Sequence, residues 1–328
     1  MKAVTYDRFG PAAEVLVLRD LARPAPGAGE VLVRVAYSGV NPSDVKARAG
    51  TRPGVTRPPF PVIVPHSDGS GVIEAVGEGV NPGRIGERVW IWNGQWQRAF
   101  GTAAEFIALP DAQAVTLPED VSLEAGAVLG IPGLTAAHCV FGAGTVTGKT
   151  VLISGGAGTV GNLAVQLAKW GGATVIATGS PRDFDRMRAA GADHVLDYRS
   201  DSLAADVLAA NGGRLIDMAV EVEFGVNIAT LAEVMAENAR IAIYGSAKDM
   251  APEIPFGPLL FKALTLDIVL IYILPEVERG RAIERLHAAL ADGALSLPEP
   301  NVFQMQDAAA AHEMVEQGGR TGAVLVRL

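Results

Sequence analysis

The chain is nearly without cysteine. Cys139 is the one example in 328 residues, so no disulfide can form within the chain, and a reducing, cytoplasmic setting is expected. Positive charge is in deficit: 27 Lys and Arg stand against 36 Asp and Glu, a formal −9. That balance disfavours nucleic acid and anionic membrane as partners, and any phosphate site must be built locally from backbone dipoles and a few arginines. The most apolar late run, Ala263 to Leu274, is too short to span a bilayer and carries Asp267; it reads as a buried strand. The stretch Met1 to Arg8 lacks the apolar core of a signal peptide, and no repeat of solenoid period is present. Charged residues make up 19% and hydrophobic residues 49%, which excludes extensive disorder and leaves enough apolar material for two domains.

What is present changes in texture along the chain. Glu30–Ala36, Ser70–Val76, Val89–Trp92 and Ala104–Leu109 are short strand patterns between Gly/Pro turns, and Pro and Gly crowd Arg52 to Pro65. From about Leu123, strands alternate with helices. Val151–Ser154, Thr174–Thr178, His194–Asp197, Ile216–Val220 and Ile241–Tyr244 are the strands. Gly161–Trp170 and Arg182–Ala190 are helices between them, and Gly126–Gly148 reads as an entry helix. Such alternation predicts a doubly wound parallel sheet, an α/β class. Helices at Glu276–Ala291 and Asp307–Gln317 and a strand at Gly322–Leu328 follow.

The most informative stretch is Val151 to Gly161. A strand pattern enters a tight turn in which Gly156, Gly158 and Gly161 supply G-x-G-x-x-G, and an apolar-faced helix follows. The first glycine is expected to make the turn, the second to let the backbone approach a pyrophosphate, and the third to let helix pack on strand. Thr159 and Val160 then offer backbone N–H groups at the helix start. With 38 glycines in the chain, chance matches occur, and the strand before and helix after give this one its weight. Enzymes that select NAD often place a carboxylate about 20 residues beyond the motif. Here that strand ends Ala177-Thr-Gly-Ser-Pro-Arg182, with no carboxylate before Asp183. Ser180 and Arg182 instead suit a 2′-phosphate, with Gly179 before them also expected in the cofactor site, so NADPH is favoured over NADH; the competing role for Arg182 is a solvated helix start.

Five motifs in order then resemble one family. They are Ser38-Gly-Val-Asn-Pro-Ser-Asp44, His66 to Gly77, Gly130-Ile-Pro-Gly-Leu-Thr-Ala136, Gly148-Lys-Thr-Val-Leu152 with the glycine loop, and Thr321-Gly-Ala-Val-Leu325. Over essentially its whole length the chain resembles the zinc-independent, zeta-crystallin-like quinone oxidoreductase branch of the medium-chain dehydrogenase/reductases. The resemblance implies a GroES-like β-rich catalytic domain split by a Rossmann domain. The expected boundaries are 1–123, 124–267 and 268–328.

It also implies roles. Zinc relatives carry a cysteine where this chain has Asn41 and expect another near Gly130 or Ile131, and they place a histidine ligand where His66 stands. One histidine cannot hold zinc, so no metal is expected and His66 reads as a hydrogen-bonded histidine lining the cleft. Without a Lewis acid, the chemistry left is hydride delivery to a quinone or an α,β-unsaturated carbonyl. Asn41 is expected to donate to the substrate oxygen, with a turn bond to its own backbone as the alternative. Asp44 orders the same loop. Lys46 stands where many relatives have Tyr, and is expected either to polarise a carbonyl or to be solvated. Thr135 faces the nicotinamide or caps its helix. Tyr198 corresponds to an aromatic position near the adenosine phosphate, Tyr244, Gly245 and Ser246 end a strand at the ligand-binding edge, and Ile271 and Ile273 approach the nicotinamide or are core. Trp90 and Trp92, on one strand face, and Trp96 form an aromatic wall or core. Cys139, beside His138, reads as structural. The alternatives are an enoyl-thioester reductase of the same superfamily, or a nucleotide-binding structural or sensing protein with little activity. The expected partner is a second copy, pairing through Ala263–Leu274.

Overall fold

The computed structural model describes residues 1–52 and 54–328. It divides into two compact units, Met1–Ile131 with Leu297–Leu328, and Pro132–Ser296. In chain order the first unit carries β1 (Lys2–Thr5), β2 (Val17–Asp20), β3 (Glu30–Val40), β4 (Asp68–Val76), β5 (Arg88–Ile91), β6 (Phe106–Pro110) and β7 (Ala114–Thr116). The second carries β8 (Thr150–Ile153), β9 (Thr174–Gly179), β10 (His194–Asp197), β11 (Ile216–Glu221), β12 (Met235–Ile243) and β13 (Thr265–Ile268). The chain returns to the first unit for β14 (Asn301–Gln304) and β15 (Val324–Arg327).

The first unit is organised by β3, which pairs with β4, β6 and β15. Its alternating apolar positions Val31, Val33 and Val35 meet Ile73, Val89, Ile91, Ile107 and Leu109 in one buried cluster, as a strand of period two requires. Two register shifts against β4, at Leu32/Val33 and Val35/Tyr37, let so long a strand bend. The second unit is a parallel sheet in the order β10-β9-β8-β11-β12-β13. β8 is buried throughout, as a central parallel strand must be. Strand order reverses between β8 and β11, the point at which open α/β sheets bind ligands beyond the carboxyl ends of their strands.

The observed boundaries fall later than the expected 123 and 268. At the first, the short helix Leu123–Gly126 packs on β4 and β5, and the Ser70 hydroxyl donates to the Leu123 carbonyl. At the second, β13 adds in parallel to β12, and the helix Glu276–Ala291 packs on the helix Leu134–Phe141. These residues therefore belong to the second unit, and the return begins at Leu297. The expected buried strand over 263–274 is also corrected: β13 covers four residues at a sheet edge, Ile268 is 80% exposed, and Ile271–Ile273 is a 3₁₀ turn. The aromatic wall does not form from one strand, because β5 ends at Ile91: Trp90 is fully buried, whereas Trp92 lies past the strand end with its indole N–H donating to Ala112.

Candidate functional site

The glycine turn of the second unit begins where β8 stops. Gly155, with φ +67, makes the left-handed turn, a conformation that favours glycine. This corrects the role expected of Gly156, whose missing side chain instead answers a packing need: a Cβ there would lie 2.8 Å from the Ala177 Cβ. At Gly161 a Cβ would collide with the Gly155 carbonyl oxygen, so helix and strand approach closely only because it is glycine. A Cβ on Gly158 would meet nothing nearer than 3.4 Å, which leaves that face of the turn open.

The helix Thr159–Trp170 starts two residues earlier than expected, with Gly158 as its cap and Asn162 donating to Gly158 at 2.8 Å. The N–H groups of Thr159, Val160 and Gly161 precede that first bond and have no acceptor within the helix. Together with the positive end of the helix dipole they are arranged in a way that suits an anion.

Behind the turn lies a group the sequence reading missed. Glu221, buried at the end of β11, accepts from the Glu223 N–H and, at 3.0 Å, from the Asn227 side chain, which also donates to the Ser154 hydroxyl at 3.2 Å. Burial holds its carboxyl above the usual range. An acid closing an apolar strand pattern was its only signal.

At the neighbouring strand ends, Gly179 pairs with Asp197, and the Tyr198 N–H donates to the Gly179 carbonyl at 3.2 Å. Ser180 follows the Gly179 carbonyl that Tyr198 bonds, the exposed Arg182 lies two residues further on, and no carboxylate closes β9. Lys248, which sequence reasoning did not single out, brings its ammonium to 5.8 Å from the Tyr198 ring centre. Tyr244 donates its N–H to the Glu221 carbonyl at 3.0 Å, Gly245 passes the Val222 carbonyl too closely for a Cβ, and the Ser246 hydroxyl accepts from the Gly225 N–H at 2.8 Å. Thr135 is buried, and Gly133 holds the cap position of its helix, so the capping role is corrected. Ile271 is buried with its carbonyl accepting from Arg279 at 3.1 Å, whereas Ile273 is 64% exposed. Cys139 is fully buried, and burial pushes its thiol up to about 12.

The first unit holds a buried polar cluster. Asn41 caps the helix Pro42–Ala49, and its backbone N–H donates to the Asp44 carboxylate at 2.8 Å, one half of a capping box. Its side-chain amide donates to Asp68 at 2.7 Å, and the other Asp68 oxygen accepts from the Ile131 N–H at 2.7 Å. Asn41 is thus not a wholly free donor. Burial pushes Asp44 up to about 7 and Asp68 well above the ordinary carboxylate range, the second also by repulsion from Asp44. Lys46 is exposed on the same helix.

His66 does not line a surface; it is fully buried at φ +76. Its bonds settle its tautomer. Thr102 donates to the Asp68 carbonyl at 2.5 Å, so the Ser38 hydroxyl must donate to Thr102, at 2.7 Å, and accept from His66 Nδ1, at 2.8 Å. His66 Nε2 is then the acceptor of the His312 Nε2–H at 2.9 Å, and His312 Nδ1 is left with no donor. Burial drives His66 down to about 3 and His312 well below its usual value, so both rings are neutral.

Two family models match: the alcohol dehydrogenase GroES-like domain over residues 27–119 and the zinc-binding dehydrogenase over 159–287. The quinone oxidoreductase of Sus scrofa is 29% identical over 331 residues, covering 100% of this chain and 98% of the relative. That of Homo sapiens is 29% identical over 332 residues with the same coverage. Among solved structures, a mycobacterial protein complexed with NADPH superposes with a TM-score of 0.87 at 27% identity, covering 100% of both chains. A quinone oxidoreductase of Pseudomonas syringae gives 0.85 at 28%, covering 100% of this chain and 99% of the other. The second model's name raises zinc, and the residues do not fit it. Both His66 nitrogens are engaged by Ser38 and His312, and among the described residues no three His, Cys, Asp or Glu are grouped to hold a metal ion. No helix among them is long and apolar enough to cross a membrane.

Proposed function

The chain belongs to the quinone oxidoreductase, zeta-crystallin-like branch of the medium-chain dehydrogenase/reductases, and from that premise we propose that it reduces quinones or α,β-unsaturated carbonyls with NADPH, without a metal. The observation that carries this reading is the carboxyl edge of the second unit's sheet. There the open face of Gly158 and the N–H groups of Thr159, Val160 and Gly161 suit a pyrophosphate, and Ser180, Arg182 and Tyr198 suit a 2′-phosphate where a carboxylate would have selected the free hydroxyl. Asp44, Thr135, Gly156, Gly179, Tyr244, Gly245, Ser246, Ile271 and Ile273 complete the proposed cofactor set.

When bound, the dihydronicotinamide supplies a hydride. The substrate's conjugated oxygen gains negative charge as the carbon is reduced, and solvent delivers its proton. The protein's part is to meet that charge with donors. The remaining amide hydrogen of Asn41 is assigned to it, because the other is held by Asp68 and fixes the amide plane. The Lys46 ammonium is assigned as the second donor.

The test is NADPH consumption measured against a panel of quinones, enones, enals and an enoyl thioester, with NADH as control. Turnover of quinones or enones with NADPH is expected; turnover of the thioester alone would move the chain to the rival reductase reading, and tight binding with no turnover to the sensing one.

The proposed assembly is a homodimer. β13 is an edge of its sheet among the described residues, and Ile268 on it, with Phe256, Phe261 (87% exposed) and Val277 on the helices flanking it in the chain, presents exposed apolar side chains. A two-fold axis lets one such edge pair with its own copy. Light scattering should return twice the chain mass. The proposed setting is the cytoplasm, on the single buried cysteine.

A further inference from the structure

The 2′-phosphate corner contains more cations than the sequence reading assigned, and they are not equivalent. Arg199 is gripped by Asp197, with Nε and an Nη each 3.1 Å from a carboxylate oxygen. Arg182 lies 3.7 Å from Asp183, which Arg186 also holds at 3.1 Å. Each arginine at this corner is therefore already neutralised in part. Lys248 is different: among the described residues, no carboxylate lies within ion-pair distance of its ammonium.

The segment that carries Lys248 is anchored while its side chain is left free. The Lys248 N–H donates to a Glu223 carboxylate oxygen at 2.7 Å, the Ser246 hydroxyl donates to the Asp249 carbonyl, and Glu223 and Ser246 form a β-bridge. The side chain leaves this tether and lays its ammonium toward the exposed Tyr198 ring. A ring face holds a cation without neutralising it. Tyr198 is in turn tied by its backbone to the Gly179 carbonyl at the end of β9, so the ring that faces the ammonium belongs to a residue bonded to that strand end, while the ammonium itself comes from a loop that leaves β12. In a chain of net charge −9, an unneutralised cation kept at a nucleotide edge calls for an anion.

We infer that Lys248, steadied by Tyr198, is the residue that distinguishes a 2′-phosphorylated adenosine from one with a free 2′-hydroxyl. The inference rests on the NADPH reading above and adds to it the residue on which the preference turns. Arg182 and Ser180 then orient the phosphate, and Lys248 supplies the charge that a free hydroxyl does not repay.

The experiment is calorimetric titration of the full chain and of its Lys248→Gln and Lys248→Arg variants with adenosine 2′,5′-bisphosphate and with ADP. A dianion losing one charge-assisted partner should bind Lys248→Gln roughly tenfold more weakly. ADP should bind all three proteins alike, and Lys248→Arg should retain most of the preference. Equal weakening of both ligands would overturn the assignment, since Lys248 would then serve the pyrophosphate. A wild-type protein that prefers the bisphosphate and a Lys248→Gln variant that prefers it as strongly would overturn the Lys248 role alone. A wild type that binds the two ligands equally would overturn the NADPH reading and the role together.

Discussion

At their candidate sites the two units treat polar groups differently, although the second also buries Glu221 and Ser154 behind its turn. The first buries them: Ser38, Asn41, Asp44, Arg48, His66, Asp68, Thr102 and His312 are all shielded from solvent, and nearly every donor among them has an acceptor inside the same unit. The second leaves polar groups open where its sheet ends, with backbone N–H groups unspent at the start of a helix and Lys248 unpaired on a ring. Buried groups that satisfy one another hold a shape, because removing any one leaves another desolvated and unbonded. Open donors in a fixed array hold a ligand. By this contrast, damage to the first unit's buried cluster should appear mainly as lost stability, and damage to the second unit's open sheet edge as lost binding.

The largest effect is expected where the second unit does both. Gly161→Ala drives a methyl into the Gly155 carbonyl and should cost about 1–3 kcal/mol of stability while removing nucleotide binding. Denaturant titration beside NADPH fluorescence checks it; binding retained at wild-type strength would show that this turn does not hold the nucleotide.

Next comes Asp68→Ala, which strands the buried Asn41 amide and the Ile131 N–H. At about 1–3 kcal/mol for each unmet donor, the loss should approach 3 kcal/mol, with nucleotide affinity unchanged. An equal fall in affinity would erase the contrast between the units.

A third expectation concerns pH. The His66 ring titrates near 3 in the folded chain against an ordinary 6.5, so the unfolded chain binds more protons between these values and stability falls as pH drops through that window. Asp44, raised to about 7 from 3.8, acts oppositely: the folded chain holds the extra proton, and stability falls as pH rises from 3.8 to 7. His66→Gly suits the left-handed backbone and removes one of the acid-sensitive rings. Its Tm should gain on the wild type as pH is lowered from 7 to 5, and a constant gap would refute the buried neutral pair.

The smallest change in stability is expected for Lys46→Ala. The side chain is exposed, so stability should stay within about 0.5 kcal/mol, yet kcat/KM for an enone should fall if Lys46 meets the substrate oxygen. Unchanged kinetics would return it to the solvated role.

Much of this was legible in residue order. The Val151–Gly161 run fixes strand, turn and helix locally, because glycine spacing and apolar periodicity act within a dozen residues. The helix Glu276–Ala291 was read to its observed ends for the same reason. What escaped depends on distant partners. The Asp44–Asn41–Asp68 cluster joins residues across 27 positions, the His66–His312 pair spans 246, and the approach of Lys248 to Tyr198 joins loops from strands β12 and β10. None of these has a period or a spacing. The domain return was misjudged because an apolar run such as Ala263–Leu274 reads the same as an inner strand or as an exposed edge.

By itself, then, the sequence determined the class of fold, the glycine turn between strand and helix and the lack of a carboxylate at the end of β9, since each follows from short-range backbone geometry and residue type. Only the tertiary structure decided which polar groups are spent and which are free. A hydrogen bond is consumed or left open by whatever lies across from it, and that neighbour is chosen by the packing of the chain, not by its order.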